Sequence, residues 1–197
     1  MDIKIQPMGP YQTNCYIVSM DGKDVIIDPG MGATDWVMAN VTNPIAILNT
    51  HGHFDHVWSN QELKEKLKVK IYAPKADAFM LSDDPFSQGT PPSEADIIID
   101  SDKEFDIDGF KFSYLHFPGH TPGCSAILIK DSLFSGDFIF KNSIGRVDFP
   151  FSSPEDMKES IHKFLYVREN WDVYPGHGGS TTVFAEQKTL PMWLNRI

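Results

Sequence analysis

An α/β (α+β) fold of two mixed β-sheets packed together, with helices on the outside, is what this sequence predicts. Three observations carry the prediction. Apolar runs of strand length and longer amphipathic runs occur in both halves of the chain. The two-residue turns Asp21-Gly22, Asp108-Gly109 and Lys130-Asp131 mark hairpins, which argues against a doubly wound parallel sheet. A chain of 197 residues, 41% hydrophobic and 22% charged, suffices for one substantial core but not two, so residues 1–197 are expected to form a single domain.

Taken in order, residues 15–20 and 25–28 read as a hairpin closed by Asp21-Gly22, and Pro29-Gly30 ends the second strand. Residues 35–40 form a short helix. Residues 45–48, apolar throughout, make a buried strand that runs straight into a cluster of histidines. Residues 57–67 have helical spacing, with Val57, Leu63 and Leu67 on one side and Glu62, Lys64, Glu65 and Lys66 on the other. The histidines therefore occupy a strand-to-helix loop. A strand over 69–72 precedes a helix over 74–81 with proline in its first turn. Residues 82–95, rich in Ser, Asp, Pro and Gly, make a long loop of the kind that covers binding sites. Strands follow at 97–99, 105–107, 110–117, 125–129 and 133–135. Residues 154–167 form an amphipathic helix capped by Ser153, with Met157, Ile161, Phe164 and Leu165 inward. A short strand at 173–174 leads to a last helix over 183–190, stopped by Pro191.

Charge and composition exclude several function classes. A formal net charge of −10, with no basic run interleaved with aromatics, disfavours nucleic acid and anionic membranes as partners. No apolar run reaches the length of a membrane span, and the first residues lack the basic start and apolar stretch of a leader, so a cytoplasmic location is expected. Cys15 and Cys124 stand outside any Cys-x-x-Cys pair and read as buried thiols. Composition is silent on the oligomeric state.

Residues 50–56 read Thr-His-Gly-His-Phe-Asp-His. His51, His53, Asp55 and His56 place three imidazoles and a carboxylate within six positions, a donor set that suits zinc or iron and that no turn requires. Three further acids and imidazoles follow apolar strands beside Gly or Pro. They are His120 in Pro118-Gly119-His120-Thr121-Pro122-Gly123, Asp137 in Ser135-Gly136-Asp137, and His177 in Pro175-Gly176-His177-Gly178. Seven such ligands for two metals leave open positions for water and substrate, as a catalytic rather than a structural site requires. Two divalent cations against Asp55 and Asp137 would stabilise a bridging hydroxide at neutral pH. Such a hydroxide attacks a carbonyl, with Asp55 aiming it.

With Gln12-Thr13-Asn14-Cys15-Tyr16, Ile27-Asp28-Pro29-Gly30 and the stretch 143–150, these motifs closely resemble the metallo-beta-lactamase fold superfamily. Within it they look like the compact, single-domain glyoxalase II-like (hydroxyacylglutathione hydrolase-like) branch. The resemblance implies a four-layered αββα sandwich with the metals at one edge of both sheets. It implies two divalent metal ions, zinc first and iron or manganese as alternatives. It assigns His51, His53 and His120 to one ion, Asp55, His56 and His177 to the other, Asp137 to both, and Asp28 to orienting a ligand loop. Arg146, and less directly Lys141 and Asn142, become candidates for contacting the substrate, with a structural ion pair to nearby Asp148 the favoured alternative for Arg146; Phe149 and Phe151 are aromatic enough for a pocket wall but are read first as core. His116 and His162 are read as structural or exposed.

The expected function is a dinuclear metallohydrolase cleaving a small acyl-thiol such as S-lactoylglutathione. The chain stops soon after His177, so the helical domain with which larger glyoxalase II enzymes hold glutathione has no counterpart. An iron-dependent persulfide dioxygenase-like oxidoreductase shares the motifs but uses one metal, and a lactonase is the rival within the same class. Retention of Asp55, His56 and His177 together favours two metals.

Overall fold

Each sheet is built from one contiguous half of the chain. The computed structural model describes residues 1–197. In the first half, strands β1 (Asp2–Met8), β2 (Thr13–Met20) and β3 (Lys23–Ile27) run antiparallel. Asp21 and Gly22, both with positive φ (53° and 75°), form the tight turn between the last two. Helix α1 (Ala33–Asn40) then crosses over to β4 (Pro44–Leu48), which pairs parallel to β3. Helices α2 (Phe54–Val57) and α3 (Asn60–Leu67) lead to β5 (Lys70–Pro74). A 3₁₀ turn (Lys75–Asp77), helix α4 (Ala78–Asp83) and the long loop lead to β6 (Ile97–Ile99). The sheet order is β1-β2-β3-β4-β5-β6.

The second half likewise opens on antiparallel pairs and adds a parallel one after a helix. β7 (Lys103–Ile107), β8 (Phe110–His116), β9 (Ser125–Ile129) and β10 (Ser132–Gly136) form an antiparallel meander. A small hairpin, β11 (Ile139–Phe140) and β12 (Ser143–Ile144), precedes helix α5 (Pro154–Leu165). β13 (Asp172–Pro175) pairs parallel to β10, and β14 (Thr181–Thr182) and helix α6 (Val183–Leu194) finish the chain. The second sheet has the order β14-β13-β10-β9-β8-β7.

The apolar side chains sort into three layers that define the four-layered sandwich. Tyr16, Val18, Val25, Leu48, Phe112, Ile127 and Phe134 fill the space between the sheets. Ile17, Ile26 and Ile47 point the other way and meet Val37 of α1 and Leu63 of α3. Ala126, Leu133 and Val173 meet Met157, Ile161 and Phe164 of α5 and Leu190 of α6. Both sheets are thus covered on one face by the other sheet and on the second by helices, which is why β2 and β10 are buried almost throughout rather than alternating.

Three expectations need correction, and one strand has no counterpart among them. The helix over 57–67 is two helices, and α2 begins at Phe54, so Asp55 and His56 sit in a helical turn rather than in a loop. Pro74 ends β5 instead of starting a helix, because its fixed φ of −61° continues into extended backbone with ψ 136°. The last helix does not stop at Pro191; it runs to Leu194. The one amide hydrogen bond lost there is outweighed by Trp193, Leu194 and Ile197 packing on the core under α5 and α6. The N-terminal strand β1 carries no expectation from sequence: it is an edge strand holding Pro7, with Ile5 left 47% exposed.

Ser153 caps α5 by accepting from the Asp156 amide at 3.1 Å, while its own amide donates to the Gly119 carbonyl at 2.8 Å. The helix start is thereby fastened to the turn carrying His120. Ser153→Ala is expected to cost about 1 kcal/mol, the usual worth of such a cap, read as a lowered urea midpoint with unchanged slope.

Candidate metal centre

The strands deliver their ligand-type residues to one edge of the sandwich. Asp28 follows β3, His51 and His53 follow β4, Asp137 follows β10 and His177 follows β13, all at carboxyl ends of strands. The two sheets are stitched together there. Thr13 bridges to His177, the Asn14 amide donates to the Gly176 carbonyl at 2.7 Å, and the Asn14 side chain donates to the Pro175 and Gly178 carbonyls at 2.9 Å each. The Tyr16 hydroxyl adds a 2.6 Å bond to Pro175.

Two triads result. In the first, His51 Nε2 lies 3.2 Å and His120 Nε2 2.9 Å from His53 Nδ1. In the second, Asp55, His56 and His177 converge, with Asp55 Oδ2 3.6 Å from His56 Nε2 and 3.4 Å from His177 Nε2. Asp137 stands between them: Oδ1 is 3.4 Å from His56 Nε2, and Oδ2 is 3.4 Å from both His120 Nε2 and His177 Nε2. Donor atoms on a tetrahedral ion with bonds of about 2.1 Å are separated by roughly 3.4 Å, so this spacing fits cations.

For four of the five imidazoles a contact on the far side fixes which nitrogen faces inward. Thr50 Oγ1 spends its proton on Asp28 Oδ2, at 2.6 Å, so it accepts from His51 Nδ1, at 3.0 Å. His120 Nδ1 donates to the Arg146 carbonyl at 2.9 Å, and His177 Nδ1 to the Tyr11 carbonyl at 3.1 Å. His56 Nδ1 donates to Asp28 Oδ2 at 3.0 Å. Asp28 is also held by the Thr50 amide at 2.8 Å. It therefore addresses the outer nitrogen of His56 and orients that ring instead of competing for an ion. With neutral rings the inner nitrogens would then be lone pairs facing one another and the carboxylates. Two of the buried inward-facing atoms, His56 Nε2 and Asp137 Oδ1, have no hydrogen-bond partner at all. Buried polar atoms left so are expensive, and cations among them remove the conflict.

Charge points the same way. Asp28, Asp55 and Asp137 are buried, and no Lys or Arg pairs with them. Burial, then the neighbouring His120, pushes His53 down to about 3, and burial with His56 lowers His51 well below the imidazole range. Against the burial that would lower them, the carboxylates Asp55 and Asp137 raise His56 strongly, and hydrogen bonds to Asp137 and Asp55 raise His177 to about 9. Burial acting alone would raise Asp55, but His56 and the His177 hydrogen bond hold it at about 2. The site is thus a concentrated anionic pocket that demands positive charge.

Sequence reasoning missed one residue that organises the whole edge. Asp77, fully buried, accepts from the Gly52 amide at 3.0 Å, the Gly123 amide at 2.6 Å and the Thr121 hydroxyl at 2.6 Å. It binds the loop of His51 and His53 to the turn of His120. No local pattern announces it. Thr13, which donates to Asp55 Oδ2 at 2.6 Å, was legible only as part of a larger motif.

Above the triads opens a cleft of about 560 Å³ lined by Arg146 but not by Lys141 or Asn142, which form the exposed turn between β11 and β12. Phe149 lines it too and is 37% exposed, and Phe151 is 49% exposed, so neither is core. His116 bonds the Pro122 carbonyl and His162 is exposed, both away from the triads. Cys15 and Cys124 are buried free thiols.

Gly176 has no room for a side chain: a Cβ there would land on Asp137 Oδ1 and 2.7 Å from His56 Cε1. Gly176→Ala is expected to displace Asp137, lowering retained metal per chain and turnover about 10–100-fold, the range found when support of a ligand is lost. Elemental analysis beside steady-state rates checks this.

Residues 8–177 match the family model described as the metallo-beta-lactamase superfamily. The chain is 34% identical over 210 residues to hydroxyacylglutathione hydrolase GloC of Haemophilus influenzae, covering 97% of each. It is 33% identical over 198 residues to the probable metallo-hydrolase YqgX of Bacillus subtilis, covering 94% of each. Among solved structures, the BLEG-1 B3 metallo-beta-lactamase superposes with a TM-score of 0.88 at 33% identity, over 98% of this chain and 99% of that one. TTHA1623 in a di-iron-bound form gives 0.83 at 31% identity, over 96% and 99%.

Proposed function

The chain belongs to the metallo-beta-lactamase superfamily, and from that premise we propose that it is a dinuclear metallohydrolase of the compact glyoxalase II-like branch, acting on small thioesters. The observation that carries the reading is the pair of triads joined at Asp137 beneath a cleft of substrate size. Likeness to a relative named as a hydroxyacylglutathione hydrolase supports the thioester. His51, His53 and His120 would hold one cation and Asp55, His56 and His177 the other, with Asp137 shared. Zinc suits this nitrogen-and-oxygen donor set, and iron is the alternative that the di-iron relative suggests.

Divalent ions supply Lewis acidity, which acidifies water and polarises a carbonyl oxygen. The chain supplies the rest. Thr50 and the carbonyls of Arg146 and Tyr11 hold three imidazoles with their lone pairs inward, and Asp28 does the same for His56. Asp55 lines the cleft and can accept a hydrogen bond from the attacking water, aiming it at the carbonyl. Aromatic walls beside the triads lower the local polarity and strengthen these interactions.

The test is a panel on metal-quantified protein: S-lactoylglutathione, a lactone, a β-lactam, and a persulfide with oxygen consumption followed. Two metals per chain with thioester turnover is the expected result. One iron per chain with persulfide-dependent oxygen uptake would overturn it, as would β-lactam or lactone turnover without thioester turnover.

A further inference from the structure

The cleft over the triads is walled by aromatic rings. Phe86 lies edge-on to the His53 ring at 5.0 Å, and Phe149 is 6.1 Å from both His53 and His120. Phe54 continues the wall, 5.1 Å from Tyr11 and 6.5 Å from Phe86, and Phe140 closes the far side 6.0 Å from His177. Both flanks of the reacting centre are therefore apolar.

Charge is scarce in the same wall. Apart from Asp55, Asp137 and the imidazoles of the triads, the single ionisable side chain with a full charge lining the cleft is Arg146. Two of its three guanidinium nitrogens are engaged already. Nε and one terminal nitrogen donate to the two Asp148 oxygens at 2.8 and 2.7 Å, and the guanidinium carbon sits over the Phe149 ring, 4.1 Å from its centroid. It thus acts as a lid on the Phe149 ring more than as a free anion receptor.

The ring nearest the reacting centre is held in advance. Phe86 sits in the long loop after α4, and Asp84 folds that loop by accepting from the Gln88 and Gly89 amides and the Thr90 hydroxyl at 3.1, 2.7 and 3.1 Å. A wall fixed before binding loses little freedom on contact with a ligand.

We propose that the cleft selects an acyl-thiol whose flanking group is uncharged and arene-sized, in preference to a carboxylate-bearing thiol such as glutathione. This deepens, and rests on, the thioester reading above. Glutathione carries two carboxylates, and the wall offers them one cation, Arg146, already shared with Asp148, so moving both out of water is costly. An aryl group gains apolar burial and edge-to-face contacts with the same rings.

The test has a binding arm and a kinetic arm. Calorimetry compares two thioethers that cannot be hydrolysed, the benzyl thioether of N-acetylcysteamine and S-methylglutathione. The benzyl compound is expected to bind at least 10-fold more tightly, about 1.4 kcal/mol. Phe86→Ala should narrow that ratio at least three-fold. Equal affinities, tighter binding of S-methylglutathione, or a ratio unmoved by Phe86→Ala overturns the proposal. In the kinetic arm, the phenylacetyl thioester of N-acetylcysteamine should exceed S-lactoylglutathione in kcat/KM by the same factor, with most of the difference in KM; the reverse order overturns the proposal. Hydrolysis of neither, with the binding preference intact, overturns the thioester reading alone.

Discussion

Asp137→Asn is expected to lower turnover more than about 100-fold, beyond the loss seen when only the support of a ligand is removed. The reason is positional. Each Asp137 oxygen faces an inner imidazole nitrogen of His56, His120 or His177 at 3.4 Å. Asparagine keeps the shape but turns one oxygen into an N–H₂ group, which has no lone pair for a cation and carries no charge. Asp137 is the carboxylate that faces inner nitrogens of both triads, so its neutralisation is felt by both. Metal per chain after dialysis against metal-free buffer should fall by at least one equivalent, while far-ultraviolet circular dichroism stays unchanged. Retention of full metal content and turnover within three-fold would remove Asp137 from the centre.

Asp77→Ala should act through stability first. Burial raises its carboxyl above the ordinary range, but the Thr121 hydroxyl and the Gly52 and Gly123 amides, all donating to it, oppose that shift. Truncation strands three buried donors at once. At about 1 kcal/mol or more for each, the loss is about 3 kcal/mol, or a melting point lower by roughly 6–12 °C for a chain of this size. Asp77→Asn should recover only part of it, since its amide nitrogen would face another donor. A melt of either variant within 2 °C of the parent would show that the two loops hold their positions unaided. Because Gly52 lies between His51 and His53, and Thr121 follows His120, retained metal should fall with stability.

Much of the architecture was legible because it is written locally. Hairpin turns at Asp21-Gly22 and Asp108-Gly109, and the apolar spacing of Met157, Ile161 and Phe164, depend on near neighbours. The ligand-type residues were legible because histidine and aspartate beside glycine at strand ends have few other uses. What sequence could not show are roles created by meetings across the chain. Asp77 reaches partners 25 and 46 residues away in sequence. Tyr11 and Phe86 stand in loops without periodicity, and only the fold brings them to one wall. Phe149, read as core for its size, is partly exposed because that wall faces solvent. Pro191 was misread because a helix boundary set by a local rule yields to packing farther along.

The division of the sheets between the two halves of the chain bears on how this protein could be taken apart. A cut in the exposed stretch at Ser101–Asp102 would release two fragments, each owning all six strands of one sheet. Each fragment would also own part of both triads: His51, His53, Asp55 and His56 on one piece, His120, Asp137 and His177 on the other. Neither piece alone could gather the full donor set of either triad. Chelation would then serve as a coincidence detector, registering only the reunion of both fragments, and the intact chain would gain it only after its two halves have docked.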